Sequence, residues 1–551
     1  MNARAVGDRE LAESWRASGR NARPPGRSLA VLAGLLAATL GCALLLSDSS
    51  NRPLLWNTLA FATASTALSL PVGGVLAVLL FRTQIAWPRF LHWILTLLLF
   101  LPPYLLLAGW DAGWGMQGWA PRWLFPATGW TPLRGWSGAL LMQLALGLPW
   151  VVFLVGAGLA GVPRDLEELA SLDGSDLQVL WRVTRRWWVP SLVSTGLLYW
   201  VLVACDITVT DIFQIRTFAE EVYTGFMLGD SLPTIVRRTA SGLVLTAGCA
   251  VAASWPLVER AEIGFGDSKR PAWRARLGVL RWPVTLLLTL VLGTLLLAPV
   301  GNLVYQAGLL VDSVQGERVW SWSFAKVVEL MVGSPGRFRD ELAWSMLLGQ
   351  LSGLTALGLA VGCCWWGSRR PWVRWLGAIA CVLGLATPGP VLALALSSLV
   401  NQPGSDLLFY LYDRTIVVAW LALVIRLFPV AYLLTAWKMR SVNRRLADQA
   451  ALSGVSAPRA FWHAVGAPLR DFFLCQWLVL LALAIGDLSA TVLATPPGVT
   501  TVSVRVFNLV HYGVADQLAG LCLALVLLFG GMTALVIAFS SSSAGREGRT
   551  V

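Results

Sequence analysis

Twelve apolar segments run through this chain and constrain its fold more than any other feature. A bilayer-spanning helix needs about 20 predominantly apolar residues. Hydrophobic residues make up 56% of the 551 positions and charged residues 13%, which is too little charge to cover a soluble protein of this size. The sequence predicts an all-α polytopic membrane protein with about 12 transmembrane helices. The segments are 29–46, 55–81, 90–110, 138–160, 190–211, 237–257, 282–305, 341–366, 373–399, 415–437, 471–494 and 516–540.

A basic stretch between the sixth and seventh segments divides the chain into two tandem six-helix halves. The predicted regions are an N-terminal tail at 1–28, a first transmembrane half at 29–258, a linker at 259–281, a second half at 282–540 and a C-terminal tail at 541–551. The polar N-terminal tail is longer than the charged region of a secretory signal, so the first span is expected to be retained.

The basic residues predict the orientation. With the N-terminus in the cytoplasm, most of the 42 Lys and Arg residues fall in segments on the cytoplasmic side. Both termini are then cytoplasmic. The net charge of +12 faces lipid headgroups in this arrangement, and nucleic acid is not an expected partner. The outer segment 305–340 is expected to contain a short amphipathic helix.

A polar pattern occurs twice, 280 residues apart, within the stretches 165–190 and 445–468. In each copy an acidic residue, Glu168 or Asp448, precedes a glycine, Gly174 or Gly454, by six positions. An aromatic residue follows the glycine seven positions later; these residues are Trp181 and Phe461. The pairs Pro149 and Pro429, and Asp206 and Asp487, recur at almost the same spacing. Such recurrence indicates two copies of one design in the same orientation.

Each copy reads as a helix, a sharp turn and a short helix. A glycine suits the left-handed position that closes a helix. Ser175 or Asp176 in the first copy, and Ser456 in the second, can cap the short helix that follows. The aromatic side chain then lies among basic residues, an arrangement that fits the surface groove of a partner protein.

The residues of this pattern resemble the EAA loop of permease subunits of ABC importers. The match covers Glu168, Ala170 and Gly174 in the first copy, and Asp448, Ala450 and Gly454 in the second. In that family the loop supplies a helix that fits a groove on the ATP-hydrolysing subunit. The resemblance implies a type I ABC importer-like fold and a coupling role for these residues, together with Trp181 and Phe461.

The whole chain resembles the fused, two-copy permeases of ferric-iron importers. The stretches 486–513 and 206–226 are most similar to that group. Thiamine permeases share the layout, so thiamine or another small solute is the alternative cargo. The resemblance implies a bacterial inner-membrane location, a separate ABC ATPase in two copies and an extracytoplasmic solute-binding protein.

The sequence predicts no catalytic, cofactor or metal site in this chain. No Walker A sequence occurs, so ATP and Mg are expected to be used by the partner ATPase. The eight cysteines all lie in apolar runs and read as core residues, and the three histidines are scattered.

Three charged residues inside the spans are candidates for the translocation pathway. Asp206 and Asp487 lie in the outer halves of their spans, where an ionisable group costs roughly 2–3 kcal/mol. They line a pathway for a cationic cargo, make helix–helix hydrogen bonds, or simply lie close to the lipid headgroups. Arg426 has Leu146 at the corresponding place in the first half; it either pairs with a carboxylate or senses the cargo.

Two other classes of protein are alternatives to a permease. A secondary transporter of the major-facilitator kind also has two six-span halves, but the loop 82–89 (RTQIAWPR) lacks the Gly and Asp of that group's motif. A lipid-modifying transferase needs clustered His, Asp or Glu at one membrane face, and the sequence shows no such cluster.

Overall fold

The fold is described from a computed structural model of the chain. The described residues are 25–47, 51–115, 118–124, 131, 133–160, 162, 164–173, 175–183, 185–259, 273–314, 317–401, 405–439, 449 and 455–547. Four predicted coupling residues, Gly174, Asp448, Ala450 and Gly454, lie outside these ranges, as do most of the predicted N-terminal tail and of the linker.

Helices dominate the N-terminal part of the chain. They are α1 (Pro25–Leu45), α2 (Arg52–Arg82), α3 (Pro88–Phe100), α4 (Pro103–Trp114), α5 (Trp119–Trp123), α6 (Gly135–Ala160), α7 (Arg164–Asp173), α8 (Asp176–Gln178), a π-helical turn (Val179–Val183), α9 (Arg185–Ala204), α10 (Thr208–Ile212), α11 (Phe218–Met227) and α12 (Leu232–Glu259).

The C-terminal part is also helical, with one β-hairpin. Its elements are a 3₁₀ turn (Gly278–Leu280), α13 (Arg281–Gly308), β1 (Leu309–Val314), β2 (Glu317–Trp322), α14 (Phe324–Arg337), α15 (Arg339–Gly367), α16 (Pro371–Ala386), α17 (Gly389–Val400), α18 (Asp406–Arg414), α19 (Val417–Met439), α20 (Ala457–Phe461), a π-helical turn (Trp462–Gly466), α21 (Arg470–Gly486), α22 (Thr491–Ala494), α23 (Val502–Tyr512) and α24 (Ala515–Glu547).

Seven helices among the described residues are long and apolar enough to cross a membrane, and up to nine spans result if each of two bent pairs is one span. The chain is therefore an all-α polytopic membrane protein in its main architecture, as predicted. The arrangement of twelve spans in two halves stays a prediction. The outer segment contains the expected short helix, α14, but also the antiparallel hairpin of β1 and β2, which was not predicted.

The two bent pairs have prolines at their breaks. The pair Pro88–Phe100 and Pro103–Pro121 bends by 99°, and the pair Pro371–Ala386 and Gly389–Val400 bends by 110°. Pro102 and Pro388 lie at the breaks. Proline lacks the N–H that would continue the helical hydrogen bonds, and it disfavours helical backbone at the preceding residue. The two bends therefore follow from Pro102 and Pro388.

The same elements occur in the same order in two stretches, here called the first repeat (52–259) and the second repeat (339–547). Each begins with a long helix (α2, α15) and a bent pair (α3–α4, α16–α17), and continues with a proline-containing helix (α6, α19). A short helix with a π-helical turn follows (α8, α20), then a helix with a short continuation (α9–α10, α21–α22), and two further helices (α11–α12, α23–α24).

A hydroxyl near the start of each long helix holds a later helix of the same repeat. Thr58 of α2 accepts the backbone N–H of Phe218 at 3.1 Å. Ser345 of α15 accepts the N–H of Val502 at 2.8 Å. The far ends of α2 and α15 lie beside the two predicted docking stretches. The structure thus has a repeat face, carrying residues 164–183 and 455–469, and an opposite face carrying α10, α11, α22 and α23.

The repeats pack reciprocally. The last helix of each repeat contacts the first limb of the other repeat's bent pair: α12 packs on α16, and α24 packs on α3. Within the repeats, α2 lies along α6 and α15 lies along α19. Most buried apolar side chains belong to one cluster that includes residues of both repeats, so the repeats share a core.

Candidate coupling segments and pathway residues

The first docking segment is built from α7, α8 and the π-helical turn after it. Ser175 is the N-cap of α8, one of the two predicted caps. It forms a capping box in which Ser175 and Gln178 each accept a backbone N–H of the other. The backbone N–H of Ser175 lies 3.3 Å from the Gln178 side-chain oxygen. This box starts the short helix at the expected place, because it satisfies N–H groups that a helix start leaves without intrahelical partners.

Two adjacent glutamates of α7 have different surroundings. Glu168, the predicted coupling residue, is half-buried and pairs with Arg164 one turn earlier at 2.6 Å. Ala170 is also half-buried. Glu167 is fully buried and contacts Arg82, at the end of α2, at 3.0 Å. Burial raises the pKa of Glu167, and the charge of Arg82 opposes this shift.

The Arg82–Glu167 pair was missed by sequence reasoning. A signal for Glu167 was available, since it precedes Ala170 by three positions and so shares its helix face. No comparable signal identified Arg82, because its partner is 85 residues away.

Each docking segment presents one exposed indole. Trp181 lies in the first π-helical turn and is 59% exposed, 5.8 Å from the ring of Trp188. In the second segment the ring of Phe461 is half-buried and packs edge-on against Trp365 at 5.1 Å. The neighbouring Trp462 is 55% exposed. A partner approaching the repeat face would therefore meet Trp181 and Trp462, and Phe461 supports the second segment from behind.

The start of the second segment also matches its prediction. Ser456 is the N-cap of α20 and a proline occupies the first turn. The Ser456 hydroxyl makes no capping hydrogen bond. Val465, in the π-helical turn, and Leu469, just after it, are buried against Trp365 and Phe461. Apolar packing holds this segment in place.

Asp206 and Asp487 lie at equivalent helix breaks. The Asp206 carboxylate accepts the backbone N–H groups of Thr208 and Val209 at 3.1 and 3.3 Å, and so caps α10. The Asp487 carboxylate accepts the N–H of Ala490 at 2.8 Å and the hydroxyl of Ser489 at 3.1 Å. Each carboxylate thus has a local structural role at its own helix break.

The remaining partners of the two carboxylates differ. The amide of Gln143, on α6, donates to Asp206 at 3.0 Å. The guanidinium of Arg426, on α19, contacts Asp487 at 3.4 Å, and both side chains are mostly buried. Arg426 is also close enough to Asp206 for its charge to act on that carboxylate. The guanidinium of Arg426, in the second repeat, therefore contacts Asp487 of its own repeat, and its charge acts on Asp206 of the first repeat.

The helix break of each repeat contacts the bent helix pair of the other repeat. The thiol of Cys205 lies 3.8 Å from the carbonyl oxygens of Leu385 and Ala386, at the bend between α16 and α17. The hydroxyl of Tyr104, beside the bend between α3 and α4, lies 3.4 Å from the carbonyl oxygen of Ile485, which precedes the second break. The three pathway candidates thus lie where four broken helices of the two repeats come together.

A second contact between the repeats lies on the opposite face. Asp211 of α10 and His511 of α23 are 3.4 Å apart, and the rings of Tyr223 and Phe507 pack edge-on at 6.4 Å. Nearby, burial raises the pKa of Glu220, and the like charge of Glu221 adds to the shift.

Within the described ranges no three His, Cys, Asp or Glu side chains are grouped as metal ligands, and all eight cysteines are free thiols.

The chain resembles an ABC transporter permease. It is 28% identical over 82 residues to a probable ABC transporter permease protein of Pyrococcus horikoshii. The matched region covers 15% of this chain and 30% of that relative. No family model matches the chain, and no solved structure matches it.

This local similarity supports a permease role. The apolar helices agree with a membrane location. Because the chain matches less than a third of the relative's length, the relative itself says nothing of the cargo.

Proposed function

We propose that this chain is the permease subunit of an ATP-driven ABC importer, with both transmembrane halves fused in one chain. The observation that carries the proposal is the pair of docking segments: each ends in a π-helical turn that presents an indole on the same face of the molecule. A single docking helix has many uses, but two equivalent ones on one face fit a partner that binds twice. The local similarity to an ABC permease supports the same conclusion.

The repeat face is cytoplasmic in this proposal, and two copies of an ABC ATPase bind there. Trp181 and Trp462 enter the grooves of the two copies as apolar anchors, a role that buried aromatic side chains often have at interfaces. Glu168, Ala170 and Gly174, and Asp448, Ala450 and Gly454, shape the turns that carry these anchors. ATP and Mg are bound and used by the ATPase, and this chain binds no cofactor.

In this proposal the chain lies in the bacterial inner membrane. Its opposite face receives cargo from an extracytoplasmic solute-binding protein. Closure of the two ATPases moves the docking segments, and the halves rock between outward and inward openings. The helix breaks at Asp206 and Asp487 lie between the halves and form part of the pathway. Broken helices are suited to this, since irregular backbone at membrane depth is tolerated where it lines a cavity.

The charges at the breaks favour a cationic cargo. Two carboxylates, Asp206 and Asp487, share one guanidinium, that of Arg426, which leaves an excess of negative charge when both acids are ionised. An arriving cation can replace Arg426 as the partner of Asp487. Ferric iron is the proposed cargo, and thiamine, also a cation, is the alternative.

Uptake into proteoliposomes tests the proposal. The chain, purified with its ATPase, is reconstituted with ATP inside, and labelled ferric iron or labelled thiamine is supplied outside with the binding protein. We expect ATP-dependent accumulation of iron. Accumulation of thiamine alone would change the cargo but keep the permease. Accumulation without ATP, driven by an ion gradient, would instead favour a major-facilitator-like secondary transporter.

A further inference from the structure

Arg82 joins separate parts of the chain at the repeat face. It is the last residue of α2 and is 1% exposed. Its guanidinium contacts Glu167 of α7 at 3.0 Å and donates to the carbonyl oxygen of Leu159, near the end of α6. Ion pairs that are completely buried are costly to form, so a buried arginine with several partners fixes the geometry of the elements it joins.

The end of the linker joins the same place. Arg82 donates to the carbonyl oxygen of Trp273 at 3.4 Å. The backbone of Ala275 bonds on both sides of α2's end, donating to the Arg82 carbonyl oxygen at 2.8 Å and accepting the Gln84 N–H at 3.0 Å. These residues lead directly into α13. The stretch 273–276 is thereby attached to α2 in an extended conformation.

The linker end also binds the docking segment itself. The backbone N–H of Arg276 donates to the Asp176 carboxylate at 2.6 Å. Asp176 is the first residue of α8, which carries the π-helical turn and Trp181. The first docking segment therefore has attachments to α2 and α6 through α7, and to α13 through the linker.

Among the described residues of the second docking segment, 455–469, no ion pair equivalent to Arg82–Glu167 occurs. The offset of 287 residues that relates Thr58 to Ser345 places Arg369 at the position of Arg82. Arg369 is exposed, with its guanidinium over the ring of Trp365 at 5.4 Å. At the offset of 280 that relates the docking segments, Ala447 replaces Glu167, so no carboxylate is available there.

We propose that Arg82 is the positioning residue of the first docking segment and makes the two segments mechanically different. Through Arg82 and the linker end, a movement of the first segment is passed to α2, α6 and α13 together. The described residues of the second segment, 455–469, are held by aromatic and apolar packing against Trp365 of α15, and in this proposal they move with fewer elements. The contacts that Arg82 and the linker end (273–276) make with α7 and α8 are here called the joint. The mechanical consequence of the joint rests on the proposed function, but the joint itself is a property of this chain alone.

Hydrogen–deuterium exchange of the purified chain tests the joint without any partner. The test variant is R82M with E167M, which removes the pair without leaving a buried carboxylate unpaired; replacing a buried ion pair by apolar side chains is often tolerated. We expect faster exchange in 164–183 and 273–276 and unchanged exchange in α15 and α19. The matched control, R369M, should leave exchange in 455–469 unchanged. Unaltered exchange at both sites would overturn the proposal.

Transport per ATP tests the consequence. In the complex with the ATPase, the double variant should keep the ATPase bound and still hydrolyse ATP, while labelled iron transported per ATP falls on the order of tenfold. R369M should keep the wild-type ratio. A wild-type ratio in the double variant would reduce Arg82 to a structural role and contradict the proposal. If the wild-type chain binds no ATPase, the proposed function fails, and the exchange experiment still decides the joint.

Discussion

Asp206 and Asp487 occupy matching positions but depend on different partners. A neutral amide donates to Asp206, whereas the guanidinium of Arg426 contacts Asp487. Removing one member of a buried ion pair leaves an unpaired charge and costs about 3–5 kcal/mol, while the loss of one hydrogen bond from a neutral donor to a charged group costs about 1.5–3 kcal/mol. We therefore expect D487N to lower the thermal unfolding midpoint of the detergent-solubilised chain more than D206N.

The double variant R426M with D487N is the control for that comparison. It removes the orphaned guanidinium and should recover part of the stability lost in D487N. Equal losses in D206N and D487N, or no recovery in the double variant, would show that the Arg426–Asp487 contact has no energetic role.

Glu220 gives a prediction for pH dependence. One of its oxygens accepts the Thr224 hydroxyl at 2.7 Å, and the other is buried without a hydrogen-bond partner. Burial raises the folded-state pKa of Glu220 above its ordinary value of 4.5. The folded state then holds its proton more tightly than the unfolded state, so this group's favourable contribution to stability is lost as pH rises through the raised pKa.

The variant E220Q cannot ionise and should lack this loss. We expect the unfolding midpoint of E220Q, relative to the wild type, to be higher at about pH 7 than at about pH 4.5. Thermal unfolding followed by tryptophan fluorescence at the two pH values measures it. A difference that shrinks as pH rises would contradict the stated shift.

At the residue scale, the sequence predicted the two repeated segments but not the side chains that hold them in place. A pattern found by repetition favours residues that occur in both copies, such as Glu168. The Arg82–Glu167 pair exists in one copy only, and the burial of Glu167 in place of Glu168 depends on which face of α7 packs against α2. The sequence likewise indicated Phe461, and only the packing against Trp365 leaves Trp462 as the exposed ring.

At the element scale, two hydroxyls hold helices that follow the breaks. Thr58 and Ser345 accept the backbone N–H groups of Phe218 and Val502. A buried N–H that loses its acceptor costs about 1–3 kcal/mol. T58V and S345A should each lower the free energy of unfolding by that amount. T355V is the control, because Thr355 is exposed and bonds only its own helix; a similar loss there would refute the assignment.

The bends depend on a close approach that only glycine allows. A Cβ atom at Gly389 would lie 2.6 Å from the carbonyl carbon of Ser489 and 2.7 Å from its Cβ, at the second break. Backbone cannot yield cheaply, so G389A should separate α17 from α22 and lower the unfolding midpoint. Nothing lies within 4 Å of such an atom at Gly358, and G358A should stabilise α15 by about 0.5–1 kcal/mol. Equal effects of the two changes would contradict this packing.

Apolar segments predict where helices run but not how they break. Each predicted span overlaps a helix of the structure, since apolar length is a strong signal. The bends at Pro102 and Pro388 were not predicted, because they lie inside apolar runs whose composition is the same on both sides. The β-hairpin was also missed, because its strands lie in a stretch of mixed charged and apolar residues without a clear period.

At the scale of the whole molecule, the repeats form one body through reciprocal contacts. Breaks of one repeat meet bends of the other, and the last helix of each packs on the other's bent pair. The spacing of the repeated residues indicated two copies, but not that their broken helices meet at Asp206 and Asp487. Contacts between distant parts of a chain leave no local pattern in it.

The account depends on two docking segments that bind a separate ATPase. Native mass spectrometry of the tagged chain, purified from its own membranes, tests this most directly. We predict a complex that contains one copy of the chain and two copies of an ATP-hydrolysing subunit, and we expect W181D with W462D to lose both copies. A chain that purifies without such a subunit and still carries labelled iron across a membrane would contradict the account.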